Sequence, residues 1–338
     1  MVSASTRSPK CPGLQFAGAS SARRARGTAG SLHAPVVPDA AAVDAQAKDE
    51  NFPVASWLLP AAVRADLVAI YGFARLADDI GDEHGGDRLA ALDWLESELE
   101  RAAAGDATHP LMQRLQRTIS AHQLTLQPMR DLIAANRQDQ TVHRYETYED
   151  LVGYCRLSAN PVGRIVLAVL GASTPERVVL SDDVCTALQI VEHLQDVRED
   201  LAQGRVYLPL EDLAAEGCTE ADLAAERAGP ALRRVVALEA LRARRLLASG
   251  GPLARSLGPR ACFAVASFAA GGLAALDAVD RAGCDVLAHR CRPRPARFLA
   301  RVAGVLASTP RFATHATHTT HATHGARAAP PSRARGPR

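Results

Sequence analysis

The sequence predicts an all-α fold, and three observations carry the prediction. Apolar residues recur at spacings of three and four along most of the chain, the period of one helix face. Ala, Leu and Arg dominate, while aromatic residues are only 4% of the chain within a hydrophobic total of 47%, which favours helices over sheets. Gly and Pro punctuate the periodic segments, and no alternating stretch competes as a strand.

Taken in order, the first helix is expected over Ala61–Ile80. Pro60 opens it, and Val63, Leu67, Ile70, Tyr71 and Ala74 share its apolar face. Further helices are expected over Arg88–Ala103, Pro110–His122, Pro128–Gln140, Tyr148–Leu157, Val162–Leu170, Ser181–Ala202, Pro230–Ala248, Pro259–Arg281 and Ala296–Leu306. Together they form one domain over residues 50–300.

The two ends differ in kind. Residues 1–49, rich in Ser, Ala, Arg, Gly and Pro without apolar period, read as a disordered extension. Their Arg and Ser content with few early acids also fits a transit peptide. Residues 301–338 are a low-complexity His/Thr/Arg-rich tail. Its His315, His318, His321 and His324 recur every third residue, a period that leaves one helical face quickly, so disorder is favoured over metal binding.

A net charge of +2 conceals an acidic middle. Residues 51–289 hold 33 acidic and 23 basic side chains, whereas residues 290–338 hold 10 Arg and no acid. An acidic core argues against nucleic acid as a partner and suits a site that gathers divalent cations. The basic stretch Arg290–Arg301 reads either as a contact for anionic lipid or as an exposed helix end. Seven cysteines, an odd number without a Cys-x-x-Cys pair, point to reduced thiols and a cytoplasmic location, with peripheral contact at the inner membrane face as an addition. The most apolar run, Ala261–Leu276, is interrupted by Gly271 and Gly272 and reads as a buried helix, not a membrane span.

Two acidic clusters carry the chemistry. Asp78-Asp79-Ile80-Gly81-Asp82 closes one expected helix, and Asp196-Val197-Arg198-Glu199-Asp200 lies late in another. In each, the outer Asp residues are four apart and project from one helical face. Carboxylates stacked near a helix C-terminus repel each other and oppose the macrodipole. Magnesium supplies a reason for them, since it binds carboxylate oxygens and substrate phosphates together, and facing helices of a bundle build such sites. A solvated acidic face is the competing reading of either cluster alone. Arg75 and Arg205 flank the clusters, as phosphate ligands or as ion-pair partners.

These residues resemble the squalene/phytoene synthase family. The likeness runs through Asn51-Phe52-Pro53-Val54-Ala55-Ser56, Ile70-Tyr71-Gly72-Phe73-Ala74-Arg75, Gln195-Asp196-Val197-Arg198-Glu199-Asp200, Gly204-Arg205-Val206-Tyr207-Leu208-Pro209 and Ala269–Asp277. The Asn51 opening and Leu157-Ser158-Ala159-Asn160-Pro161-Val162-Gly163 are most similar to the hydroxysqualene synthases of the hopanoid branch. The resemblance implies a single-domain isoprenoid synthase helical bundle with a central cavity. It also implies conversion of presqualene diphosphate to hydroxysqualene with Mg2+, no nicotinamide cofactor, and coupling to other enzymes of squalene and hopanoid synthesis. It assigns Asp78, Asp82, Asp196 and Asp200 to the metal, with Asp79 and Glu199 in support, and Arg75 and Arg205 to diphosphate. Tyr71 and Gln189 would lie near the reacting carbons, Phe52 and Asn51 on the substrate wall, and Tyr207 near the diphosphate. Ser158 and Asn160 are candidates to hold the captured water, or caps of the following helix.

Two positions depart from the family pattern: Glu192 stands where Asn is usual and Gln195 where Arg is frequent. The first leaves metal binding intact; the second removes an expected diphosphate contact. The alternatives to the hydroxysqualene reading are head-to-head condensation of two prenyl diphosphates and a non-catalytic assembly protein.

Overall fold

A computed structural model describes residues 59–82 and 84–308. Asn51, Phe52, the expected N-terminal extension and the His-rich tract lie outside the described residues. The described chain forms α1 (Ala61–Asp82), α2 (Arg88–Ala104), α3 (Pro110–His122), α4 (Gln127–Gln138), α5 (Tyr148–Ser158), α6 (Asn160–Val169), α7 (Pro175–Gln195) and α8 (Val197–Ala202). These are followed by α9 (Leu210–Ala215), α10 (Glu220–Leu223), α11 (Pro230–Leu247), α12 (Gly250–Arg255), α13 (Pro259–Arg281) and α14 (Pro295–Ala307). Among the described residues the one β-type pairing is an isolated parallel bridge between Arg144 and Val206. The all-α expectation holds.

Local chemistry explains the boundaries. Pro occupies the first turn of α3, α11, α13 and α14, where its missing N–H costs no helical bond. Asp87 caps α2 through Ala90 N at 3.0 Å, and Thr147 and Asp150 form a reciprocal capping box on α5. Two expectations are corrected. The helix expected over Ser181–Ala202 begins at Pro175 and breaks at Asp196, whose backbone (φ −108°, ψ 14°) leaves the helical basin. The short helices α9, α10 and α12 were not anticipated, being too brief for a periodic signal.

Two buried apolar clusters hold the molecule. One joins α1–α4 and α6 around Phe73, Leu76, Ile80 and Met112. The other joins α5, α7, α11, α13 and α14 around Leu188, Leu194, Val235 and Leu276. α7 is the common element, packing on α11, α6, α13, α12 and α5. α13 is long and apolar enough to span a bilayer by length and composition, yet 72% of its most apolar window is buried inside the protein. Its Gly272 is required there: a Cβ would lie 2.8 Å from Leu188 and 3.1 Å from Leu247, so the absent side chain lets α7 and α11 close on it.

Candidate active site

The first acidic pair ends α1, one turn apart, and both Asp78 and Asp82 line a cleft of about 600 Å3. α4 supplies Asn136 and Asp139, α5 supplies Ser158, and α7 supplies Gln189, Glu192 and His193. Asp196 and Asp200 enter from the break after α7. The backbone bond Asp200 N to Asp196 O, at 2.8 Å, keeps them a helical turn apart despite that break. Gly204, at φ 81°, then reverses the chain. Arg205 N bonds to Asp200 O and Val206 N to His143 O, each at 2.9 Å, which aims Arg205 and Tyr207 into the same cleft.

Opposing charges meet across it. Arg205 donates to Asp82 Oδ1 at 2.8 Å, linking the segment after the second acidic pair to the first. Asn136 Nδ2 donates to Asp78 Oδ1 at 3.3 Å. Gly81 permits that approach, because a Cβ there would stand 2.2 Å from Asn136 Oδ1. Burial, and then the charge of Asp82, push the Asp78 carboxyl well above the ordinary range.

Beneath the acids lies an aromatic floor, of which only Tyr207 was expected from the sequence. Tyr145, Tyr154 and Tyr207 pack with ring centroids 5.4–5.7 Å apart, and His193 stacks on Tyr207 at 3.8 Å. Tyr154 OH donates to Asp139 Oδ2 at 2.7 Å and Tyr207 OH to Oδ1 at 3.3 Å. Burial nevertheless raises the Asp139 carboxyl to about 6 against the opposing pull of Arg205 and the two hydroxyls. His193 Nδ1 is 3.7 Å from Asp200 Oδ2 and its Nε2 is 3.2 Å from Gln189 Nε2. When the Gln189 amide donates, the ring proton sits on Nδ1, facing Asp200.

The cleft abuts an apolar pocket of about 720 Å3 whose walls include Ala159, Val162, Val166, Val184, Leu188 and Phe268. Gln189 and Glu192 line both spaces, so a polar chamber and an apolar one share a boundary on α7.

Of the residues expected at the site, Asp78, Asp82, Asp196, Asp200, Arg205, Gln189, Tyr207 and Ser158 line the cleft. Five others stand outside its lining among the described residues. Arg75 and Asp79 pair with each other at 2.7 Å on the buried side of α1 and are not part of the lining. Tyr71 is buried in the α1 cluster, and Glu199 faces solvent. Asn160 is buried, its Oδ1 accepting from Thr186 Oγ1 at 2.9 Å. It caps nothing; Ala159 holds the cap position of α6 without a side-chain bond. The concern over Gln195 also changes: its Nε2 donates to Cys291 O at 2.7 Å, so the position faces the C-terminal segment, not the cleft. Glu192, by contrast, stands in the wall.

Among the described residues no three His, Cys, Asp or Glu side chains converge as a ready-made metal site. The donor chemistry still fits a divalent cation: four Asp carboxylates face one cleft, and the charge of Asp82, which adds to burial in pushing the Asp78 carboxyl up, is one that a cation would offset.

The sequence pattern described as squalene/phytoene synthase matches residues 45–297. The chain belongs to the squalene/phytoene synthase family. Within the family it is 41% identical over 214 residues to the hydroxysqualene synthase of Rhodopseudomonas palustris, covering 62% of this chain and 72% of that one. It is 39% identical to the hydroxysqualene synthase of Zymomonas mobilis over 206 residues, 59% of this chain and 68% of that one. Among solved structures it resembles the squalene synthase HpnC from Alicyclobacillus acidocaldarius, with TM-score 0.67, 46% identity, and coverage of 69% and 89% of the two chains. A dehydrosqualene synthase in complex with ligand matches with TM-score 0.71 at 25% identity, over 79% and 95% of the chains. The squalene/phytoene synthase assignment makes this protein an isoprenoid enzyme.

Proposed function

We propose that the protein converts presqualene diphosphate to hydroxysqualene. The observation that carries this reading is the shared boundary between the acid-lined cleft and the apolar pocket, which matches a substrate with a diphosphate head and long hydrocarbon arms. Similarity to hydroxysqualene synthases supports the choice within the family.

Magnesium, when bound, supplies positive charge beside the departing diphosphate, and Asp78, Asp82, Asp196 and Asp200 are the residues that would hold it. Arg205 orients the diphosphate through its fixed guanidinium fork. Val162, Val166, Val184, Leu188 and Phe268 keep water from the carbocation while it rearranges. Ser158 then positions the one water whose oxygen bonds to carbon, its proton passing to the departed diphosphate. Its Oγ is buried in the cleft wall without a hydrogen-bond partner, and such a group is costly to keep without a use.

The test is product analysis by mass spectrometry. Purified protein with magnesium is incubated with presqualene diphosphate and, separately, with farnesyl diphosphate. Hydroxysqualene from the first alone is the expected result; coupling of farnesyl diphosphate would overturn the choice in favour of condensation. Ser158→Ala is expected to lower the alcohol fraction without loss of stability. An unchanged product removes Ser158 from the water-holding role.

A further inference from the structure

The α14 face is exposed although the helix is amphipathic. Val302 and Val305 are buried against the core, and α14 packs on α13 and α12. On its other side Ala296, Arg297, Ala300 and Ala303 are open to solvent. Leu299, at 65%, is the most exposed of the large apolar side chains among the described residues. Arg290 and Arg294 are exposed in the segment leading into the helix. No acid occurs from residue 286 to residue 338.

The acids nearest this face are already neutralised. Arg301 donates to Asp277 Oδ2 at 2.9 Å, and Arg244 pairs with both Asp277 and Asp280. What remains facing outward is a neutral, weakly apolar strip with Leu299 at its centre and Arg290, Arg294 and Arg297 at one end. A helix of this composition lies in a lipid–water interface: the apolar side chain enters the headgroup boundary, and the guanidinium groups stay at phosphate level.

We infer that α14 docks the enzyme on an anionic lipid surface. Charge complementarity selects this occupant. A second copy meeting this face with its own α14 would bring like charges together, and a nucleic acid would meet the 33 acidic against 23 basic side chains of residues 51–289. The contact is independent of which diphosphate reaction the cleft performs.

Co-sedimentation of the full chain with vesicles tests it. Vesicles of phosphatidylcholine alone are compared with vesicles holding roughly 30% phosphatidylglycerol, at about 0.05 M and about 0.5 M salt. Binding is expected only to the anionic vesicles and only at low salt. Leu299→Glu should abolish it. Reversing Arg290, Arg294 and Arg297 to Glu should weaken it by more than about a hundredfold, the loss of about fivefold per arginine charge alone, with repulsion added. Far-UV circular dichroism confirms that each variant is folded; if the triple variant is not, Leu299→Glu alone decides. Equal binding to neutral vesicles, no binding by the wild type, or wild-type binding by the folded Leu299→Glu protein overturns the inference. So does a preference for RNA that charge reversal removes and Leu299→Glu leaves intact.

Discussion

Replacing Asp139 with Asn should make the protein more stable at high pH than at low pH, relative to the wild type. Asp139 is buried, and its carboxyl rises from an ordinary 3.8 to about 6. A carboxyl raised in the folded state costs no stability below the unfolded value, where both states are protonated. The cost grows through the window from 3.8 to about 6 and is complete above it. A shift of that size corresponds to about 3 kcal/mol at full ionisation. About half of this, on the order of 1–2 kcal/mol, develops between pH 5 and pH 8. Asn keeps one acceptor for the hydroxyls of Tyr154 and Tyr207 and loses the other, a cost of about 1 kcal/mol that does not vary with pH. Urea unfolding of both proteins at pH 5 and pH 8, followed by circular dichroism with a chelator present, isolates the titration as the change in their stability difference. A difference that stays constant across that range would refute the account of Asp139 as a carboxylate held against its own burial.

Three further outcomes are expected. Asp196→Ala should cut turnover by about 10²-fold or more, the scale of removing one preorganised electrostatic group, with the melting temperature little changed; normal turnover would reject its place in the site. Gly81→Ala drives a Cβ into Asn136, whose own Cβ is 3.2 Å away. Thermal unfolding should register a loss of about 1–3 kcal/mol. Asp285 is fully buried, accepting from the backbone of Ala228 at 2.8 Å and Ala288 at 3.1 Å and from Arg233 at 2.8 Å. Although burial opposes it, these donors hold its carboxyl below the ordinary value. Its stabilisation is therefore present above pH 3.8 and lost as pH falls through the depressed folded value. Asp285→Ala should cost about 2–5 kcal/mol by leaving backbone donors unsatisfied, read by denaturant midpoint at neutral pH.

The helices were legible where local signals agreed. α3 and α13 begin at Pro and run over the expected residues because periodicity and a favoured first turn coincide. The break at Asp196 had no such signal: no Gly or Pro interrupts residues 181–202. The acidic pairs were legible because four-residue spacing is itself a geometric statement. Asn136 and Asp139 were not, since their value lies in meeting partners on other elements, Asp78 of α1 for the first and Tyr154 and Tyr207 for the second. His193 was within reach: it stands three before Asp196 and seven before Asp200, helical spacings that place it on their face. Asp79 differs from Asp78 for a geometric reason: adjacency in sequence turns its side chain about 100° around the helix, where it pairs with Arg75.

Under the proposed function the Arg205–Asp82 bond makes the cation and the diphosphate depend on each other. A diphosphate that draws Arg205 to its oxygens frees Asp82 to ligate a cation, and a cation that takes Asp82 frees Arg205 for phosphate. Whichever arrives first breaks the whole 2.8 Å contact and bears its cost, and the second finds its partner already released. Linkage then requires the exchange to be reciprocal: diphosphate raises the affinity for the cation by the same factor as the cation raises that for diphosphate. An empty cleft therefore keeps its charges closed on themselves, and the catalytic arrangement is reached when both partners are present.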